Sequence, residues 1–293
     1  MTDDPNALMR RFDQLLRRLD AWLPPPPPDP DFAHTTAWRW HPGPVRGWGG
    51  AFLQPITHPQ GIALADLHGI DRQKALLVRN TRQFIQGLPA NNALLWGARG
   101  TGKSSLIKAL LREFATDGLR LIEVDKDDLM DLATIAQVVR ERPERFILYC
   151  DDLSFEADDS RYKALKAILD GSLSAAPDNV LLYASSNRRH LLPEYQQDNR
   201  DARVEEGELH FGEAVEEKIS LSERFGLWLS FHPFRQETYL AIAAHWLAHF
   251  GAGMALDERA RTEALRYALT RGSRSGRVAQ QFARDWVGRR ALE

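Results

Sequence analysis

A parallel α/β sheet covered on both faces, followed by an all-helical segment, is the fold class this sequence predicts, and three observations predict it. Short apolar runs of strand length recur at Ala93–Trp96, Leu119–Val124, Phe146–Cys150, Val180–Ala184 and Leu227–Phe231. Helical patterns separate most of them, notably after residue 103, over Leu132–Arg142 and over Tyr162–Leu173. From about Pro233 the strand-like runs cease, and three helical patterns remain near 235–250, 257–270 and 276–290. Runs that are apolar throughout, rather than alternating, belong to strands buried on both faces, as βα units produce. The expectation is five parallel strands flanked by helices over 61–232 and an all-α segment over 233–293, preceded by an N-terminal stretch, 1–60.

That N-terminal stretch has three textures. Leu8, Phe12, Leu15, Leu16, Leu19, Trp22 and Leu23 recur at helical spacing with Arg10, Arg11, Arg17 and Arg18 between them, an amphipathic helix. Docking on the protein's own core is its first reading; a partner or a membrane surface is the alternative. Pro24 to Pro28 and Pro30 stop that helix and favour an extended spacer. The residues to about 60, with Trp38, Trp40 and Trp48, are expected to be irregular and packed.

Composition narrows the function classes. Of 293 residues, 43% are hydrophobic and 27% charged, enough for a sizeable core, and the net charge of −2 creates no basic field. The lone Cys150 excludes an intramolecular disulfide and a cysteine-based zinc cluster. No run reaches the roughly 18 apolar residues of a membrane helix. The start, Met1-Thr2-Asp3-Asp4-Pro5, lacks the basic-then-apolar order of a leader. A cytoplasmic chain without a membrane span is the expectation.

Chemistry concentrates at strand ends. Gly97-Ala98-Arg99-Gly100-Thr101-Gly102-Lys103-Ser104, followed by Ser105, satisfies G-x-x-x-x-G-K-[ST] between a strand and a helix. Its glycines let backbone N–H groups curl around phosphate oxygens, and the helix N-terminus adds positive potential. Lys103 is expected at the β- and γ-phosphates and the Ser104 hydroxyl on Mg²⁺, so the expected ligands are ATP and Mg²⁺. Phe146–Cys150 ends in Asp151-Asp152. An apolar strand ending in carboxylates can deliver one, Asp151, to the metal shell. Asp152 stands where a water-polarising carboxylate is needed, with Glu156 as substitute. Val180–Ala184 leads through Ser185-Ser186 to Asn187, which an adjacent strand would aim at the γ-phosphate and water.

In this order, these motifs, an arginine before a last strand and a helical lid resemble the AAA+ ATPases. Ser222-Glu223-Arg224-Phe225-Gly226-Leu227-Trp228-Leu229 is similar to the arginine-finger segment of AAA+ replication initiators and branch-migration motors. The resemblance implies that Arg224 enters a neighbouring subunit's site, hence a homo-oligomer. Leu64-Ala65-Asp66-Leu67-His68-Gly69-Ile70-Asp71 resembles the segment that wraps the adenine ring, implying contacts from Leu67, Gly69 and Ile70. Gly272-Ser273-Arg274-Ser275-Gly276-Arg277 is similar to the lid's second sensor, implying Arg277 as the residue that reaches the phosphates, with Arg274 as the other choice.

Longer strings resemble the bacterial AAA+-like family known as domain of unknown function 815, over about 45–250. They include Leu95-Trp96 through Ser105, Glu123-Val124-Asp125-Lys126-Asp127-Asp128-Leu129, Asp151-Asp152-Leu153-Ser154-Phe155-Glu156 and Ser186-Asn187-Arg188-Arg189-His190-Leu191-Leu192-Pro193-Glu194. The resemblance implies an AAA+ P-loop core and lid that bind Mg-ATP and hydrolyse it at subunit interfaces. A protein or nucleic-acid client would be remodelled or loaded. A slow-turnover binding switch is the alternative, kept open by aspartate rather than glutamate at Asp152. A small-molecule kinase lacks an acceptor signature. The carboxylates of 123–128 read as capping groups. The acidic stretch 194–217, with Glu205, Glu206, Glu208, Glu213, Glu216 and Glu217, reads as a surface excursion.

Overall fold

The structure is a computed structural model. It describes residues 5–22, 29–43, 50–59, 61–155, 177–188 and 224–292, together with 161, 165, 166, 169, 203–205 and 208–210. All five expected strands are present and parallel: β3 (Ala93–Gly97), β4 (Leu119–Glu123), β5 (Arg145–Cys150), β6 (Val180–Ser186) and β9 (Leu227–Phe231). The sheet is wider than expected. Two strands, β1 (Ala37–His41) and β2 (Phe52–Pro55), extend it to the order β2-β1-β4-β5-β6-β3-β9.

Irregular packing of the tryptophan-rich stretch is therefore corrected. Trp38 and Trp40 lie on β1, 1% and 3% exposed, and β1 runs parallel to β4 with Ala37 opposite Leu121. Bulky aromatic side chains suit a pleated, half-buried surface, and the surrounding glycines and prolines mask that signal. The Arg120 guanidinium donates to the Phe32 and Ala115 carbonyls at 2.7 and 2.9 Å, and Trp40 Nε1 donates to Asp131 at 2.9 Å. Trp48 and the prolines 24–28 lie outside the described residues.

Successive β3 residues serve opposite faces, as the pleat requires. Leu95 packs beneath α2 (Asp71–Ile85) and α3 (Lys103–Phe114), whereas Leu94 joins the face of Ile122, Leu148 and Leu182 under α4 (Leu132–Val139). The C-terminal helices α5 (Gln236–Phe250), α6 (Glu258–Thr270) and α7 (Gly276–Leu292) follow the sequence expectation. Their core residues Tyr239, Phe282 and Trp286 are continuous with the α2–α3 side of the sheet. The Tyr162–Leu173 pattern lies largely outside the described residues, with Leu165 buried.

The carboxylates after β4 are structural. Asp125 caps a 3-10 turn, Lys126–Asp131, by accepting from the Asp127 N–H at 3.0 Å, and Glu123 pairs with Arg39 at 2.8 Å. Within the acidic stretch, β7 (Arg203–Glu205) and β8 (Glu208–His210) form an antiparallel pair; most of its other residues lie outside those described. The N-terminal helix α1 (Pro5–Trp22) is present, but Phe12, Leu15 and Leu16 are 59%, 56% and 43% exposed, so docking of this face on the core is also corrected. Among the described residues no helix is long and apolar enough to cross a membrane.

Behind β3 and β6 runs a buried polar relay. Asn80 donates to the Tyr183 hydroxyl at 2.9 Å, Tyr183 and Thr81 share a 2.9 Å hydrogen bond, and Thr81 donates to the Leu77 carbonyl at 2.8 Å. Tyr183→Phe should cost about 1–3 kcal/mol, because it leaves a buried Asn80 donor and the Thr81 acceptor unpaired. Urea unfolding of the two proteins measures it, and an unchanged midpoint would show that the relay is not a stabilising element.

Candidate functional site

The carboxyl ends of β3, β5 and β6 converge on one edge of the sheet, where open α/β sheets bind ligands. β3 ends in the glycine-rich loop, whose first residue fits only without a side chain. Gly97 has φ 127°, and a Cβ there would overlap the Phe231 carbonyl, which accepts from the Ala98 N–H at 3.0 Å. Gly100, at the loop tip, has φ 73°. Its carbonyl accepts from the Arg277 N–H at 3.3 Å, and a Cβ would crowd the Ser275 hydroxyl. Two glycines thus let one loop touch both β9 and the start of α7.

Lys103 opens α3 and is 6% exposed. Its ammonium donates to the Gly97 and Ala98 carbonyls at 2.7 and 2.9 Å and to Asn187 Oδ1 at 3.1 Å. Burial lowers its pKa to about 8, against the opposing pull of Asp151 and Asp152. Asn187 in turn donates through Nδ2 to the Asp152 carboxylate. Asp152 has φ 51°, so its backbone is left-handed where Asp151 leaves the strand.

Asp151 Oδ1 accepts from Ser104 at 2.7 Å and from Ser185 at 2.5 Å. Burial alone would raise its pKa, but the hydrogen bonds from Ser185 and Ser104 outweigh that and hold it below the usual aspartate value. Ser185 also accepts from the Asp152 N–H at 3.2 Å. Sequence alone assigns no role to Ser185. Its position one strand across from Asp151 appears only once β5 and β6 are paired. Cys150, next to Asp151, is fully buried, and burial pushes its thiol pKa up, as expected for a packing residue.

These groups line a cavity of about 580 Å³. Its polar lining is Arg99 to Ser105, Asp151, Asp152, Asn187 and Arg277. Its apolar lining is Ile62, Leu67, Ile70, Phe234, Ile242 and Trp246. Of the expected base-wrapping residues, Leu67 and Ile70 line it. Gly69 packs instead against Thr238 and Phe234. The lid residues Phe234, Ile242, Trp246 and Gln280 carried no sequence signal, since they reach the cavity only through packing of α5 and α7. Arg274 and Arg224 are not among the lining residues, and Glu156 lies outside the described ones.

The residues suit Mg²⁺ and a nucleoside triphosphate. A hydroxyl and a carboxylate 2.7 Å apart form an all-oxygen donor pair, which a hard divalent cation prefers. The buried Lys103 ammonium bonds only neutral oxygens in its hydrogen bonds to Gly97, Ala98 and Asn187, an environment that an anion would complete.

Beside the cavity's apolar lining, His245 Nε2 meets Asp66 at 3.1 Å, the His68 and His245 rings stand 4.5 Å apart, and His68 Nε2 is buried without a partner. Burial first, then His245 and Lys74, hold the His68 pKa below the ordinary histidine value. The fold therefore favours neutral His68, while the unfolded chain protonates more readily. This stabilisation is complete above the ordinary histidine pKa and is lost as pH falls through it. The melting temperature should drop between pH about 7.5 and about 5.5, and His68→Gln should reduce that drop. An identical pH profile in the variant would remove His68 as its source.

The sequence profile of the family described as protein of unknown function (DUF815) matches residues 33–290. Among solved structures, the Thermotoga maritima RuvB Holliday junction branch migration motor is 15% identical, over 76% of this chain and 63% of that one, with a TM-score of 0.49. A point mutant of the same motor is 14% identical over the same shares, with a TM-score of 0.50. The chain thus spans 63% of that motor's length, and likeness at such identity concerns the fold alone. No curated protein matches it by sequence. With the profile match covering most of its length, this chain belongs to the DUF815 family.

Proposed function

We propose that the protein binds Mg-ATP in this cavity and hydrolyses it at an interface between copies of itself, using the cycle to remodel or load a protein or nucleic-acid client. The observation that carries this reading is the convergence of Lys103, Ser104, Asp151 and Asn187 on one cavity. The base would lie against Leu67, Ile70 and Trp246, and the phosphates along the loop, with Arg277 over them. Mg²⁺, held by Ser104 and Asp151, would neutralise phosphate charge. Ser185 keeps the Asp151 carboxylate ionised and oriented. Phosphates arriving at Lys103 compete with Asn187 for its ammonium, which frees the Asn187 amide to act with Asp152 on water. Glu156 remains the alternative carboxylate for that step. Arg224, absent from the lining of its own chain's cavity, would stabilise phosphoryl charge in a neighbour's site.

The conformation of Asp152 favours a second reading. Its left-handed backbone and its bond to Asn187 hold the carboxylate back, which suits a slowly turning switch whose product is a docked partner. Steady-state phosphate release separates the two.

Lys103→Ala should abolish ATP binding, and Arg224→Ala should keep affinity while lowering hydrolysis roughly 10³-fold. Mixing the two inactive proteins should restore turnover, because one supplies an intact loop and the other an intact arginine. A mixture as inactive as its parts would refute hydrolysis in trans. Polyphosphate favours the Lys103 ammonium, so binding takes up a proton above pH about 8. Affinity in fluorescent-nucleotide titrations should fall up to about tenfold from pH about 8 to about 9 and stay flat below. Unchanged affinity across that range would remove Lys103 as the coupled group.

A further inference from the structure

Helix α1 presents an exposed apolar face, which no other described residue covers. Met9, Phe12, Leu15 and Leu16 are 70%, 59%, 56% and 43% exposed, and at 100° per residue they fall within one third of the helix circumference. Arg11 and Arg18 border that face along one edge, one heptad apart, and Arg17 lies on the polar side. Asp13 lies on the other side, beyond Leu16 and Met9. Four arginines against two aspartates leave the helix with a net positive charge, although the whole chain is at −2.

We propose that α1 lies in the plane of an anionic phospholipid surface and holds the nucleotide-binding body beside it. Three features match an interfacial helix: a segregated apolar face with an aromatic and several leucines, a polar face dominated by arginine, and low overall hydrophobicity. Burial of Phe12, Leu15 and Leu16 among acyl chains removes apolar surface from water. Arg11, Arg17 and Arg18 sit at headgroup depth, where a negative surface potential attracts them.

A second copy of α1 is a poorer occupant. In a parallel pair the Arg11 edge faces the apolar edge of its neighbour at Leu16, and in an antiparallel pair Arg11 and Arg18 face their own counterparts. The proline run after the helix adds a spacer of extended preference between such an anchor and the folded body. The inference is independent of what the cavity binds.

The test is co-sedimentation of the full chain with vesicles of phosphatidylcholine, with and without about a quarter phosphatidylglycerol, in about 0.05 M salt. The expected result is partitioning onto the anionic vesicles at least about tenfold above the neutral ones, falling several-fold near 0.5 M salt. Phe12→Glu with Leu16→Glu should reduce it to background, as should Arg11→Gln with Arg18→Gln in part. Circular dichroism and an unchanged melting temperature establish that each variant is folded, since the altered side chains are exposed. No vesicle binding, binding indifferent to the Phe12 and Leu16 changes, or equal binding to neutral vesicles would overturn the proposal. So would a vesicle-free oligomer, seen by light scattering, that dissociates on those changes, which would assign the face to a second copy.

Discussion

A buried ammonium, that of Lys103, organises the surrounding structure. An isolated charge removed from water is expensive unless paired. Here its hydrogen bonds go to the Gly97 and Ala98 carbonyls and the Asn187 amide oxygen, while Asp151 and Asp152 act at longer range. Each partner reaches the site from a different strand end: the loop from β3, the two aspartates from β5 and Asn187 from β6. Their adjacency depends on β3 crossing over to lie between β6 and β9. The lowered pKa of Lys103 records the cost of that burial, and an arriving polyanion relieves it.

The same loop is held in place by close approach of backbones. At Gly97 it meets the Phe231 carbonyl of β9, the strand that follows Arg224, and at Gly100 it accepts from the first turn of α7, where Arg277 begins. Both contacts need a glycine for a steric reason, so the loop joins β9 and the start of α7 through backbone alone. On the β6 side, Ser185 contacts the Asp151 carboxylate and the Asp152 amide together, tying both acidic residues to β6. The site is thus supported by packed backbone at three sheet positions.

Much of the fold was legible in the sequence, for identifiable reasons. Strands β3, β4, β5, β6 and β9 are mainly apolar because both faces are covered, and such runs stand out against helical periodicity. Strands β1 and β2 were missed because they form the sheet margin, with the exposed Arg39 and Gln54 breaking the apolar run amid glycines and prolines. The exposure of α1 was also invisible, since an amphipathic pattern states that a face is apolar and not what covers it. Ser185 went unread because its role lies in a cross-strand distance, and Trp246 because its helix reaches the cavity from the lid.

What the sequence by itself determined is the local chemistry: a phosphate loop that needs glycine, an acidic strand end, an asparagine and the order in which they occur. These are short-range properties, set by backbone freedom and side-chain type within a few residues. Tertiary structure alone decided the pairing of β5 with β6 that sets Ser185 against Asp151, the seating of α5 and α7 over the apolar lining, and the widening of the sheet by β1 and β2. Those depend on contacts across 34 residues for Ser185 and Asp151 and 84 for Lys103 and Asn187, where spacing along the chain carries no geometric information until the sheet is formed.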